Sequence, residues 1–104
     1  MEHQYALCPK FEAAFDILGK RWTGLIIRVL MTGPNGFKEI SGAITTMSDR
    51  MLAERFKELE AEGIVKRQVY PETPVRIEYE LTDKGKSLES VMNEVQCWGD
   101  RWVR

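Results

Sequence analysis

An amphipathic segment opens at Ser48, stops at Gly63 and runs without a linker into alternating apolar and charged residues. Ser48 has the hydroxyl that an N-cap needs. Residues 49–62 are rich in Ala, Leu, Glu, Lys and Arg, the good helix formers. Leu52, Phe56 and Leu59 recur on one face of that helix. Gly63 is a natural C-terminal stop. Ile64–Val69 then favours a strand and Pro71-Glu72-Thr73-Pro74 a turn. Val75, Ile77, Tyr79 and Leu81 alternate with Arg76, Glu78 and Glu80, the pattern of a half-buried strand. A helix that ends directly in a hairpin confines the fold to a mainly α class carrying a small β element, α+β.

Three helices are predicted before that segment. The first covers 9–18, with Pro9 at a first helical position, Phe11, Ala14, Phe15 and Leu18 at helical spacing, and Gly19 as its end. The second runs from Arg21 to Met31, with Trp22, Leu25, Ile26, Val29 and Leu30 on one stripe. Gly33-Pro34-Asn35-Gly36 reads as a turn. The third spans Phe37 to Ile44, with Phe37, Ile40, Ala43 and Ile44 inward. After the hairpin, Thr82 caps one last helix over 83–103. The order is helix, helix, helix, helix, strand, strand, helix. No repeat, low-complexity tract or linker interrupts it, so residues 1–104 read as one domain.

Two helices joined by a short turn and followed by a hairpin are the order of a winged helix-turn-helix. In that architecture the second helix of the pair enters a major groove with its N-terminal half. Counted from the Leu52 stripe, the opposite face of the fourth helix carries Arg50, Glu54, Lys57 and Ala61, flanked by Asp49 and Ala53. Arg50 can pair with a guanine edge, Glu54 can accept from cytosine and Ala53 can touch a thymine methyl. Ser48 can hold a phosphate at the helix N-terminus. Lys57 and Lys38 suit the DNA backbone, and Lys66, Arg67 and Arg76 form a basic cluster on the hairpin. The competing reading is an ordinary solvated helix face and hairpin edge.

The charge arithmetic limits how such a chain could grip DNA. Lys plus Arg is 15 against 16 acids, a net charge of -1. That excludes bulk electrostatic gripping of polyanions and leaves site-specific contact. Residues 64–76 set Lys66, Arg67 and Arg76 against Glu72 alone, a local excess of 3 minus 1, or +2. Two cysteines and one histidine, His3, cannot close a four-ligand zinc site in one chain, so no metal and no cofactor is expected. No nucleophile elbow or phosphate loop is present, which argues against an enzyme. The polar start at Glu2 and His3 and the lack of a spanning apolar run give the expectation of a cytoplasmic protein that does not engage a membrane.

Several strings together carry a family resemblance: Cys8-Pro9, LGKRW at 18–22, GPNGFKEI at 33–40, SDRMLAERFKELEAEGIV at 48–65, YPETPVRIEYELTDKG at 70–85 and Trp98-Gly99. In this order and spacing, over essentially the whole chain, the sequence resembles the HxlR family of bacterial winged helix-turn-helix regulators. Within it the chain looks most like the YodB-type branch of repressors that sense quinones and diamide. The resemblance implies a homodimer on a palindromic operator of double-stranded DNA, a recognition helix over 48–62, a wing over 64–81 and dimerisation through the terminal helices.

The residues add their own support for a dimer. Phe11 and Phe15 in the first helix, and Leu88, Val91, Met92, Val95, Trp98 and Trp102 in the last, are more apolar surface than a small core with a hairpin needs. A two-fold partner would bury it and set two recognition helices ~34 Å apart. Packing within one chain is the alternative.

Cys8 directly precedes Pro9, so its sulfur lies at a helix N-terminus, where dipole and N–H groups favour thiolate; Lys10 adds positive charge. These are the ingredients of a reactive thiol, and the resemblance implies that Cys8 is the sensing cysteine, answering a quinone or other electrophile. Cys97, beside Trp98, reads as core packing, with a second redox role as the alternative. Family members that pair two cysteines across the dimer usually carry the second further along the C-terminal region, which here runs to Arg104 without one. The resemblance therefore leaves a Cys8–Cys97 bridge, a Cys8–Cys8 bridge and modification of Cys8 alone all open. Two other functional classes compete: a same-fold regulator answering a small molecule without redox chemistry, and a protein-interaction module.

Overall fold

Burial of the Leu52, Phe56 and Leu59 stripe organises the chain, each residue being 1% exposed or less. The computed structural model describes residues 7–104, so Glu2 and His3 lie outside the described residues. The elements are α1 (Pro9–Leu18), α2 (Thr23–Leu30), β1 (Asn35–Gly36), α3 (Phe37–Ala43), α4 (Asp49–Ala61), β2 (Val65–Tyr70), β3 (Arg76–Leu81), α5 (Asp83–Lys86) and α6 (Glu89–Trp102). Around the α4 stripe close Ile26, Ile27 and Leu30 of α2, Ile40 of α3, and Ile64, Val65 and Leu81 of the hairpin. Ser48 caps α4 as its sequence position predicts, its Oγ accepting the Met51 N–H at 3.1 Å. Gly63 ends the helix in the left-handed region, φ 73°, where a side chain would be strained.

The hairpin pairs β2 with β3 antiparallel, Val65 opposite Leu81 through to Tyr70 opposite Arg76. Tyr79 of β3 stacks on Phe56 at 3.8 Å between centroids and 8° between planes, and Phe37 of α3 lies 6.2 Å from the same ring. This aromatic contact sets the angle between α4 and the hairpin, because both are held by one buried ring.

Three boundaries depart from the sequence reading. The Gly33–Gly36 turn also contains a short strand: Asn35 pairs with Tyr79 and Gly36 with Glu78, giving a three-stranded sheet in the order β1-β3-β2. A pairing between residues this far apart leaves no local periodicity to read. The second helix begins at Thr23 instead of Arg21, since Trp22 adopts φ 79° and cannot continue a right-handed helix. Leu25, placed on its inward stripe, is 51% exposed, and Ala43 of α3 also faces out.

The last helix is in fact two. Gly85 is buried so closely on the hairpin that a Cβ would come 2.2 Å from the Ile64 carbonyl oxygen. The chain then turns, with the Ser87 hydroxyl donating to the Lys84 carbonyl and the Leu88 N–H reaching back three residues to Gly85. After this break Leu88 packs against the core and Met92 is 7% exposed. Met92 therefore belongs to the core of the single chain and not to an outward face. Val91, Val95, Trp98 and Trp102 are rotated about 70° from the Leu88–Met92 line at about 100° per residue, and all four are exposed. The single apolar stripe of the sequence is two adjoining faces. The radius of gyration, 16.1 Å, exceeds the ~13 Å of a compact domain of about 100 residues, and the long axis is 66 Å.

Candidate functional site

The outward side of α4 is available along its N-terminal half. Ser48, Asp49, Arg50, Ala53, Glu54 and Lys57 are all exposed, as is Lys38 on α3. Asp49 has a specific task here, because one carboxylate oxygen accepts the Ser41 hydroxyl of α3 at 2.6 Å. That bond fixes the turn between the two helices and occupies one of the oxygens offered to a base. Ser48 likewise uses its Oγ as an acceptor inside the helix. Arg50, Ala53, Glu54 and Lys57 remain as the outward row.

The wing alters the charge count made along the chain. Its local excess of positive charge does not survive folding, because antiparallel pairing sets Glu80 beside Lys66 and the turn and β3 supply Arg76 with its own neighbours Glu72 and Glu78. Lys66 lies 3.4 Å from Glu80, its register partner. Arg76 is clasped by Glu72 and Glu78 and stacks over Tyr70 at 4.1 Å. The Glu72 hydrogen bond, against desolvation and helped by the charges of Glu72 and Glu78, holds its guanidinium above the usual value. Arg76, expected as a phosphate contact, is thus engaged by the wing itself. Arg67 is exposed opposite Tyr79. The Tyr79 hydroxyl is pushed up by burial and by the Glu60 carboxylate, and Arg67 partly offsets both.

Cys8 is the N-cap residue of α1, exposed and extended in backbone, with no side-chain cap bond. Cys97 is exposed too. The core-packing expectation for Cys97 fails because it lies nine residues after Leu88, about 180° round the helix at about 100° per residue. No residue of α1 is buried in the single chain. Phe11 and Phe15 are 66% and 61% exposed and Trp98 and Trp102 63% and 62%. The two Phe rings lie 5.1 Å apart, a continuous apolar surface on one helix. Among the described residues no group of three potential metal ligands forms, and no helix is long and apolar enough to cross a membrane.

Residues 17–104 match the model of a family described as HxlR-like helix-turn-helix. The chain belongs to the HxlR family. It is 58% identical over 96 residues to the HTH-type transcriptional regulator YodB of Bacillus subtilis, covering 92% of this chain and 86% of that one. The reduced form of YodB superposes with a TM-score of 0.84 at 57% identity, covering 94% of this chain and 96% of that one. The quinone-bound form gives 0.81 at 53%, over 92% and 100%. The diamide-treated form gives 0.80 at 56%, over 96% and 99%. These likenesses make the protein a transcriptional regulator of the YodB-like redox branch, with the winged-helix α+β fold expected from its sequence.

For this HxlR-family chain the sequence reading missed one cluster. Arg55 of α4 donates through Nε to the Arg21 carbonyl at 2.9 Å and through one terminal nitrogen to both Glu58 oxygens at 3.2 Å. Lys20 reaches Glu58 at 3.1 Å. The Arg55 side chain is only 14% exposed. The spacing of Arg55 and Glu58 signals a helical ion pair, but nothing local announces a backbone acceptor so far away in sequence.

Proposed function

We propose that this chain is a homodimeric DNA-binding repressor of detoxification or oxidoreductase genes, released from a palindromic operator when Cys8 is modified by a quinone, diamide or another electrophile. The observation that carries the DNA reading is the exposed row Arg50, Ala53, Glu54 and Lys57 on α4 beside the wing. Arg50 and Glu54 offer the donor and acceptor that distinguish base pairs in a major groove, and Lys57, Lys38 and Arg67 supply phosphate contacts. Arg76 and Lys66, engaged with their own acids, brace the wing. Phe11, Phe15, Val91, Val95, Trp98 and Trp102 form the dimer contact, and Leu88 fixes the root of α6. The protein acts by binding, as a regulator and not an enzyme, in the cytoplasm with the DNA.

The switch needs only Cys8 and its reagent. The thiolate adds to a quinone ring carbon and forms a C–S bond. The ring is thereby reduced to a hydroquinone, whose oxygens take up the thiol proton and the proton of the attacked carbon. With diamide the thiolate adds across N=N, and a second thiol, Cys97 or Cys8 of another protomer, displaces the nitrogen to give a disulfide and a hydrazine. Release follows only if the modified state binds DNA more weakly than the reduced one.

The test begins with a duplex selected by the reduced protein from a randomised library. Wild-type protein should lose that duplex on 1,4-benzoquinone treatment, whereas Cys8→Ser should bind it and keep it. A serine variant released as readily as the wild type would remove Cys8 from the switch. Arg50→Ala should weaken the selected duplex by about 1–3 kcal/mol and relax preference at one base position. An unchanged titration curve would remove Arg50 from base reading.

A further inference from the structure

We infer that Arg55, with Glu58 and Lys20, is the positioning element that transmits movement of α1 to the recognition helix α4. The inference rests on the proposed Cys8 switch and adds the path by which it reaches DNA. Cys8 caps α1, whose residues 9–16 are exposed in the single chain while Ile17 and Leu18 at its far end pack against the core. Between the C-terminal end of α1 and the C-terminal half of α4 lies an open cleft of about 290 Å³, lined by Asp16, Ile17 and Lys20 on one side and Glu58, Ala61 and Glu62 on the other. Leu59 of α4 also lines this cleft, as does Ile17 of α1. Among the described residues the polar links from the α1–α2 connection to α4 are the Arg55 Nε bond to the Arg21 carbonyl and the Lys20–Glu58 ion pair.

The connection is built to pass movement on instead of absorbing it. It is short, from Gly19 to Trp22, and begins with the Gly19 N–H bonded to the Phe15 carbonyl at 2.8 Å. It ends at Trp22, which is held in a left-handed conformation and packed against the core, with Arg21 over its ring at 4.4 Å. A displaced α1 thus carries the Arg21 carbonyl and the Lys20 ammonium with it. Arg55 feels both: it bonds the carbonyl directly and shares Glu58 with Lys20. Arg55 lies one turn before Leu59 and on the same helix as Arg50, so a tilt imposed there reorients the row that meets DNA. The bond depends on the guanidinium fork, because lysine keeps the charge but has no second donor position for the carbonyl.

The experiment compares wild type, Arg55→Lys and Lys20→Ala on the selected duplex before and after 1,4-benzoquinone, with hydrogen exchange of the α4 amides read in parallel. Wild-type affinity should fall at least about tenfold on treatment, a usual size for coupled sites. Arg55→Lys should bind within about threefold of wild type when reduced and lose less than about threefold on treatment. Its α4 exchange should no longer change with treatment. Lys20→Ala, an exposed substitution that leaves the core untouched, should give an intermediate loss and serves if Arg55→Lys fails to fold. Equal treatment losses in wild type and both variants would overturn the tether while leaving the Cys8 switch intact. A wild type that keeps its duplex after modification would overturn the switch itself, and the tether with it.

Discussion

Phe56→Ala should lower the unfolding free energy by about 3–5 kcal/mol, the usual cost of truncating a fully buried aromatic residue. Phe56 is 1% exposed, and its ring is shared by Tyr79 of β3 and Phe37 of α3. Removing it opens a cavity and also frees the two elements whose angle to α4 it sets. The result is expected in urea or thermal unfolding followed by far-UV circular dichroism. Phe56→Leu, which fills part of the volume, should recover a good share of the loss. A Phe56→Ala variant within about 1 kcal/mol of wild type would mean that the site collapses freely, and the aromatic contact would not be what orders α4 against the wing.

A charge at the exposed end of α6 should have the other large effect. Val95 and Trp98 are 60% and 63% exposed in the single chain, so the double substitution Val95→Glu and Trp98→Glu leaves the folded protomer nearly untouched. In the proposed dimer the same carboxylates would be buried without partners, which is strongly unfavourable. Sedimentation equilibrium should return a monomer. Affinity for a two-half-site duplex should fall by about 10²–10⁴, because the second half-site would no longer be engaged intramolecularly. A double variant that remains a dimer would place the interface elsewhere. One that becomes monomeric yet binds equally well would show that a single α4 reads the site.

How much of this was legible beforehand depends on the range of the interaction. The α4 stripe, its Ser48 cap and its Gly63 stop are local signals, and each is where the pattern puts it. The core contribution of Ile26, Ile40 and Leu81 also follows from helical and strand periodicity. Strand β1 could not be read, since a two-residue pairing with β3 carries no period of its own. The break at Ser87 is hidden in the sequence because Ser87 and Leu88 themselves keep right-handed backbone, and Gly85 gives no local sign of its close approach to the Ile64 carbonyl. Cys97 and Met92 differ from expectation for another reason, their phase within α6: Met92 follows Leu88 by four residues onto the core side and Cys97 by nine onto the opposite one.

Of the site, the row on α4 and the position of Cys8 were determined by the sequence alone, because helical periodicity and a Cys-Pro helix start are properties of neighbouring residues. The state of the wing cations was decided by tertiary structure. Glu80 meets Lys66 only once β3 pairs with β2, while Arg76 is held by Glu72 and Glu78, four and two residues away along the chain, so the excess counted over 64–76 becomes a nearly neutral hairpin in the fold. The Arg55 tether was likewise a product of folding, since its acceptor is a backbone carbonyl, which every residue has and no sequence marks. The sequence specifies which faces exist; cross-strand register and the approach of distant backbone decide which charges on them remain available.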